Sequence, residues 1–196
     1  MDFDLIKLKV KVDIQKLRDY YNIVQRDFQH LRWQKSLSET DDGVGGHRVE
    51  NMFGWAIHTN GLDLSQPNPP YNISVSKSDT YRYTDLYFGI IKDFEQMFPF
   101  AHNYGISVHP PRTFINTHTD SDDFIKIHVP INTVDNSYFT FNDVEYHMEC
   151  DGSMYLVNTT RPHGTDNRGI GDRIHLIFKI PQDKYEYVQS LEGLIG

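Results

Sequence analysis

Apolar and polar residues alternate along several short segments in the second half of the chain, which is the pattern of half-buried β-strands. Turn-forming residues such as Pro, Gly, Asn and Asp separate these segments at close spacing. Together the alternation and the turns predict seven strands, at residues 104–109, 113–117, 124–131, 137–141, 144–148, 153–157 and 173–180. A succession of this kind is typical of a jelly-roll or cupin-like barrel.

The first hundred residues show a different pattern. Residues 5–12 alternate apolar residues with Lys and predict an amphipathic edge strand. Asp13 is a predicted N-cap for a helix over residues 14–33, in which apolar residues recur at helical spacing. A second helix is predicted over residues 81–98, where apolar side chains again share one face.

Two polar or turn-rich segments, residues 36–50 and residues 61–71, are predicted loops. The length of 196 residues fits a single domain, 1–196. We therefore expect a mainly β protein in which a helical and loop region, residues 1–100, supports a β core at residues 101–181.

Composition narrows the classes of partner. The chain carries 19 Lys and Arg against 27 Asp and Glu, a net charge of −8, so nucleic acid and anionic membranes are not expected partners. Cys150 is the only cysteine, which excludes an intrachain disulfide and favours a reducing compartment. No signal peptide and no membrane-spanning apolar run is visible, so we expect a soluble, cytoplasmic protein.

Three of the predicted strands set an apolar face against a face with basic or hydroxyl groups. A solvent-wetted outer sheet would explain one such strand. Three strands with the same cationic mixture, in an acidic protein, favour a concave anion-binding site instead. The side chains on this polar face are Ser107, His109, Lys126, His128, Arg173 and His175.

The sharpest chemical feature is His118-Thr119-Asp120, followed by His163 and, ten positions later, Arg173. Two neutral imidazoles and one carboxylate form the facial triad of non-haem Fe(II) oxygenases, which leaves metal positions open for cosubstrate and O2. A lone H-x-D is more often part of a surface loop. The combination is more specific because Arg173 can bind a carboxylate through two hydrogen bonds.

At these residues the sequence resembles the Fe(II)- and 2-oxoglutarate-dependent dioxygenases, and especially the aspartyl/asparaginyl β-hydroxylase-like family. That family has a Ser, then H-x-[D/G], then R-x-H-[L/V]-P-[L/I], then a distal His with an Arg ten residues on. The corresponding residues stand in the same order over about residues 104–180, with Lys126 in place of the first Arg. They are Ser107, His118-Thr119-Asp120, Lys126-Ile127-His128-Val129-Pro130-Ile131, Gly152, His163 and Arg173.

The resemblance implies a double-stranded β-helix that uses Fe(II), 2-oxoglutarate and O2 to hydroxylate an unactivated C–H bond. The implied substrate is an amino-acid side chain (Asp, Asn or Pro) in a peptide or protein. The implied iron ligands are His118, Asp120 and His163. The implied cosubstrate residues are Arg173 and Ser107 at the distal carboxylate of 2-oxoglutarate, with Lys126 and His128 beside it.

Other interpretations stay open at this point. The same chemistry could act on a free amino acid or another small molecule. The same three ligands could serve a non-oxidative cupin-type enzyme, and the basic face could belong to a carboxylate-binding module without catalysis. Trp55 and His58 could line a substrate mouth, although a buried structural Trp is the plainer interpretation. Asn116 and His175 could each face the site or belong to the core or rim.

Overall fold

The computed structural model describes residues 1–34, 52–59, 82–120 and 123–196, so the predicted loops at 36–50 and 61–71 lie outside the described residues. The strands are β1 (Leu5–Val12), β2 (Arg32–Gln34), β3 (Phe53–Ala56), β4 (His58–Thr59), β5 (Arg82–Tyr83), β6 (His102–His109), β7 (Thr113–His118), β8 (Phe124–Asn132), β9 (Ser137–Phe141), β10 (Val144–Tyr146), β11 (Ser153–Val157), β12 (His163–Asn167), β13 (Arg173–Pro181) and β14 (Leu194–Ile195). The α-helices are α1 (Ile14–Asp27), α2 (Ile90–Met97) and α3 (Tyr185–Ser190), and short 3-10 helices cover Gln29–Leu31 and Gln182–Lys184.

The strands form two main sheets. The larger sheet has the order β14-β1-β11-β8-β13-β6-β3-β2, and the smaller has the order β10-β9-β12-β7. From β6 to β13 the chain crosses between the sheets at every connection except the β9–β10 hairpin. Strands β6, β8, β11 and β13 lie in the larger sheet, and β7, β9, β10 and β12 lie in the smaller one. This is the expected double-stranded β-helix, a mainly β jelly roll with helical support.

The main core lies on the helix-covered face of the larger sheet. Ile125, Ile127 and Val129 of β8 are fully buried there, in one cluster with Leu17 of α1 and Phe94 of α2. Alternation places the next residues of these strands on the opposite face, toward the smaller sheet. The apolar stripe predicted from sequence therefore fixes which side chains face the space between the sheets.

Helix α1 begins where its cap predicts. The Asp13 carboxylate accepts hydrogen bonds from the backbone N–H groups of Gln15 and Lys16 at 3.0 and 3.1 Å. The predicted end at residue 33 is wrong, because the helix stops at Asp27 and the residues from Arg32 onwards pair with β3. Among the described residues, no helix has both the length and the hydropathy needed to cross a bilayer.

Three further expectations change. The predicted helix over 81–98 begins only at Ile90, because Gly89 has φ +55° and residues 82–83 pair with β4 instead. Strand β1 is not the outermost strand of its sheet, since β14 pairs with its last two residues. Strand β12 was not predicted, although it carries His163 at its first position.

Candidate active site

Two histidines from different parts of the sequence face each other across a strand pair. His118 ends β7, His163 begins β12, and the two are register partners in the smaller sheet with ring centroids 4.3 Å apart. Asp120 follows two residues after His118, and its backbone N–H donates to the Thr159 carbonyl oxygen at 2.9 Å. That hydrogen bond holds the Asp120 segment against the loop that leads into β12.

The three side chains form a compact donor set. The His118 Nε2 is 3.7 Å from Asp120 Oδ1, and the His163 Nε2 is 3.8 Å from Asp120 Oδ2. One potential ligand atom from each residue lies within 4.8 Å of the other two. Among the described residues, this is the one such group of His, Cys, Asp or Glu. Two imidazole nitrogens and a carboxylate oxygen at this spacing fit a divalent transition metal ion.

Backbone carbonyls fix the tautomers of both rings. The His118 Nδ1–H donates to the Asn116 carbonyl oxygen at 2.8 Å, and the His163 Nδ1–H donates to the Arg161 carbonyl oxygen at 2.9 Å. A carbonyl can only accept, so each neutral ring keeps its proton at Nδ1 and its lone pair at Nε2. The lone pairs are thereby on the atoms that are nearest Asp120, as a metal site requires.

The charge states also suit metal binding. Burial opposes ionisation of Asp120, but the ammonium of Lys126, with Nζ 2.5 Å from Oδ2, and the two imidazoles outweigh it and hold the pKa of Asp120 well below its usual range. Burial lowers the pKa of His163 to about 4, so that ring is neutral near pH 7. A metal ion therefore meets a carboxylate and a neutral imidazole without first displacing a proton.

The triad opens into a cavity of about 530 Å³ between the sheets. Arg173, the first residue of β13, lies in the cavity wall with only 3% of its surface exposed. Its Nη2 has no hydrogen-bond partner in the described part of the chain. Burial lowers the pKa of Arg173 to about 9, which still leaves the guanidinium charged near pH 7. A buried cation with an open hydrogen-bond donor calls for an anionic ligand.

All residues predicted for the site line this one cavity. Lys126 and His128 come from β8 and Ser107 from β6, on the faces that strand alternation assigned to them. Other residues of the cavity wall were not predicted, Lys179 and Phe139 among them. Lys179 continues the polar face of β13 and could have been found by extending its alternation, whereas Phe139 of β9, whose ring stacks on His163 at 5.3 Å, carried no such signal.

The structure locates the four residues whose roles the sequence left open. Trp55 is fully buried, and its indole N–H donates to the Phe28 carbonyl oxygen at 3.0 Å, so it is a structural side chain that also forms part of the cavity wall. His58 stacks on Tyr83 at 4.3 Å and is not part of the cavity wall. Asn116 supplies its carbonyl to His118. His175 contacts His128 and lies outside the cavity lining.

Comparisons with known proteins place these features in context. The family model described as aspartyl/asparaginyl beta-hydroxylase matches residues 70–183, more than half of the chain. No curated protein matches the chain. Among solved structures, it is similar to a Pseudomonas putida prolyl-4-hydroxylase, with 13% identity over 92% of this chain and 93% of that one and a TM-score of 0.52.

Two further structures have the same fold. A viral collagen prolyl hydroxylase from Paramecium Bursaria Chlorella virus-1, solved as a 2OG complex, has 8% identity over 92% of this chain and 97% of that one, with a TM-score of 0.52. A prolyl hydroxylase from Trichoplax adhaerens, in complex with a hypoxia inducible factor peptide fragment, has 10% identity over 95% and 86%, with a TM-score of 0.53. At such identities the likeness establishes the fold alone.

Proposed function

Since the chain belongs to the aspartyl/asparaginyl beta-hydroxylase family, we propose that it is an Fe(II)- and 2-oxoglutarate-dependent dioxygenase that hydroxylates an amino-acid side chain in a peptide or protein. One observation carries the proposal. A group of two imidazoles and a carboxylate, His118, Asp120 and His163, lines the same cavity as the buried Arg173 guanidinium. A metal site alone would not require the arginine, and a carboxylate-binding module would not require the triad.

In this proposal His118, Asp120 and His163 hold the ferrous ion. When bound, the iron supplies the redox chemistry that couples decarboxylation of 2-oxoglutarate, giving succinate and CO2, to insertion of one oxygen atom of O2 into a C–H bond. The protein contributes position. Carbonyl acceptors fix both imidazole rings, and Phe139 stacks on His163, so the donor atoms are preorganised before any ligand arrives.

Arg173 and Ser107 would bind the distal carboxylate of 2-oxoglutarate, with His128 and Lys126 beside the cosubstrate. The guanidinium presents parallel N–H donors that match a carboxylate, and its burial keeps water from competing for it. Burial also strengthens the attraction, because opposite charges interact more strongly in a medium of lower dielectric constant. Lys126 lies against Asp120, where it stabilises the carboxylate that would bind the metal.

The charge of the cavity favours an acidic prime substrate. Lys179 lies on the cavity wall and is the register partner of Lys126, so two ammonium groups sit side by side on paired strands. Lys126 forms an ion pair with Asp120. Among the described residues, no carboxylate lies within ion-pair distance of Lys179. Lys179 stands six residues after Arg173, a rise of about 20 Å along a strand. Arg173 and Lys179 thus stand at opposite ends of the polar face of β13. With Arg173 at the cosubstrate, Lys179 is available for an acidic group of the substrate.

The test is a product screen with Fe(II), 2-oxoglutarate and air over peptides and free amino acids that present Asp, Asn or Pro. Succinate is quantified, and products 16 Da heavier are sought by mass spectrometry. We expect iron-dependent succinate that rises with an acidic peptide and matches the hydroxylated product. Activity on free amino acids only would overturn the peptide assignment. The proposed function would be overturned if no iron-dependent succinate formed, either without a substrate or with any of the substrates tested.

Two lysine variants test the charge argument. Lys179→Met should raise the KM for an acidic peptide about tenfold and leave the KM for 2-oxoglutarate unchanged, as expected for loss of one charge-assisted hydrogen bond. The matched control is Lys9→Met, because Lys9 is an exposed strand lysine paired with Glu192 at 3.0 Å on the protein surface. Equal KM values for the acidic peptide in both variants would exclude Lys179 from substrate binding.

A further inference from the structure

Two buried histidines contact each other at the cavity wall. The Nδ1 of His128 on β8 lies 3.3 Å from the Nδ1 of His175 on β13, in a part of the sheet where both rings are almost fully buried. His128 lines the cavity, whereas His175 contacts it from outside the cavity lining. The Nε2 atom of each ring is buried and has no hydrogen-bond partner among the described residues.

The contact sets a condition on the protons of the pair. Burial, and then the nearby positive charge of Arg173, lower the pKa of both rings well below the usual value for histidine, so both are neutral. A neutral imidazole has one N–H donor and one acceptor nitrogen. A hydrogen bond between two Nδ1 atoms therefore needs one ring protonated at Nδ1 and the other at Nε2. The two histidines must adopt opposite tautomers.

We propose that His175 is a positioning residue whose Nδ1–H donates to the Nδ1 of His128, so that His128 carries its proton at Nε2 as a donor to a carboxylate bound in the cavity. The choice between the two arrangements follows from the ligand. Arg173 lies near both rings and makes this end of the cavity a site for an anion. An anion accepts a hydrogen bond from Nε2–H and is repelled by a bare Nε2 lone pair. The identity of the carboxylate as 2-oxoglutarate rests on the proposed function.

The first test reads the tautomers in the metal-free protein, first alone and then with 2-oxoglutarate. Long-range 15N–1H NMR correlations distinguish protonated from unprotonated ring nitrogens of histidine. We expect opposite tautomers in the two rings of the protein alone, and with 2-oxoglutarate the proton at Nε2 in His128 and at Nδ1 in His175. The same tautomer in both rings, or the reverse assignment with 2-oxoglutarate bound, would overturn the inference. This measurement needs no catalytic activity and does not depend on the identity of the prime substrate.

The second test compares two replacements of His175. His175→Leu removes the donor and should raise the KM and the dissociation constant for 2-oxoglutarate about tenfold or more, with a much smaller change in kcat. His175→Asn keeps an N–H group near the position of Nδ1 and should restore most of the affinity. The control is His30→Leu, which removes an exposed histidine next to the Phe28 ring, away from the cavity lining.

The outcomes separate this inference from the proposed function. If the wild-type protein does not bind 2-oxoglutarate, the proposed function fails, while the tautomers measured by NMR still decide the hydrogen bond. If the wild-type protein binds 2-oxoglutarate and His175→Leu binds it equally well, the positioning role of His175 is wrong. If His175→Leu does not fold, the His175→Asn variant and the NMR assignment decide the question.

Discussion

Replacement of Arg173 by Met should have opposite effects on the empty protein and on the protein with cosubstrate. Arg173 is buried, and its Nη2 has no partner in the described part of the chain, so the positive charge is costly to the fold until an anion arrives. Met has a similar length and no charge, and it can occupy the same space. We therefore expect Arg173→Met to be more stable than the wild type without ligand, and insensitive to 2-oxoglutarate.

The magnitude follows from the burial of the guanidinium. Burial lowers the pKa of Arg173 from 12.5 to about 9. At about 1.36 kcal/mol per pH unit, that fall corresponds to roughly 5 kcal/mol, which is an upper limit because relaxation of the surrounding protein lowers the effective cost of a buried charge. Replacement of buried ion pairs by apolar side chains of similar volume is often neutral or stabilises a protein by about 1–4 kcal/mol, and Arg173 lacks even the compensation of a paired charge in the described part of the chain. We expect an increase in the free energy of unfolding within that range.

The assay is urea unfolding, followed by circular dichroism, with Mn(II) present and with or without 2-oxoglutarate. For the wild type, cosubstrate at a hundred times its dissociation constant should add about 2.7 kcal/mol to the free energy of unfolding. The same concentration of 2-oxoglutarate should raise the free energy of unfolding of Arg173→Met by only a small fraction of that amount. The control is Arg168→Met, because Arg168 is a half-exposed arginine that pairs with Glu145 and Asp166 outside the cavity lining. It should keep the full effect of 2-oxoglutarate.

Two results would refute this reasoning. A loss of several kcal/mol in the ligand-free Arg173→Met protein would mean that the guanidinium is already paired within the fold. Retention of the full cosubstrate effect in that variant would mean that the distal carboxylate binds elsewhere.

Three further changes test how the site is supported. Gly164→Ala would place a Cβ 2.7 Å from a backbone carbonyl oxygen of β7, so it should cost about 1–3 kcal/mol of unfolding free energy and weaken Mn(II) binding. Unchanged stability and metal affinity would contradict the close approach of β12 to β7. Asp4→Asn removes the 3.1 Å ion pair with Arg161, whose backbone carbonyl accepts a hydrogen bond from the His163 ring. The variant should lower Mn(II) affinity severalfold in calorimetric titration and lose less than about 1 kcal/mol of unfolding free energy. An unaltered affinity would show that the ion pair does not support the loop before β12. Tyr20→Phe removes a buried 2.7 Å hydrogen bond to the Leu86 carbonyl oxygen and should cost about 1 kcal/mol in thermal unfolding without changing metal affinity, so a change in metal affinity would count against the separation of this contact from the site.

Much of the fold and of the candidate site follows from the alternation of residues in three strands. Once Ile125, Ile127 and Val129 are buried against the helices, the residues between them face the smaller sheet. Alternation alone therefore predicts that Lys126 and His128 lie on the cavity side, where both are found. The prediction succeeds because a strand has a period of two and only one of its faces is apolar here.

The strand that carries His163 shows where the sequence signal ends. Its residues, His-Gly-Thr-Asp-Asn, have little intrinsic preference for extended structure. Strand β12 forms because β7 and β9 hydrogen-bond to it on both sides, and Gly164 allows the close approach of its neighbours. Pairing over such sequence distances is a tertiary effect, which local propensity does not contain.

The sequence pattern also does not predict unusual backbone conformations or contacts between residues on neighbouring strands. The predicted second helix lost its first turns because of the positive φ of Gly89, a residue that nothing in the apolar spacing distinguishes. The contact between His128 and His175 depends on an irregular register between β8 and β13, where the pairing shifts next to His175. Alternation gives the face of each residue, but not which residues on that face touch.

The most direct test of the metal and cosubstrate assignment is an anaerobic titration of the protein with Fe(II) and 2-oxoglutarate, followed by visible absorption. If His118, Asp120 and His163 bind the iron and Arg173 holds the keto acid beside it, a weak charge-transfer band should appear and saturate at one iron per chain. The band should be absent in His163→Ala and weakened in Arg173→Met. A wild-type protein that shows no band, or a band that both variants retain at full strength, would contradict the assignment.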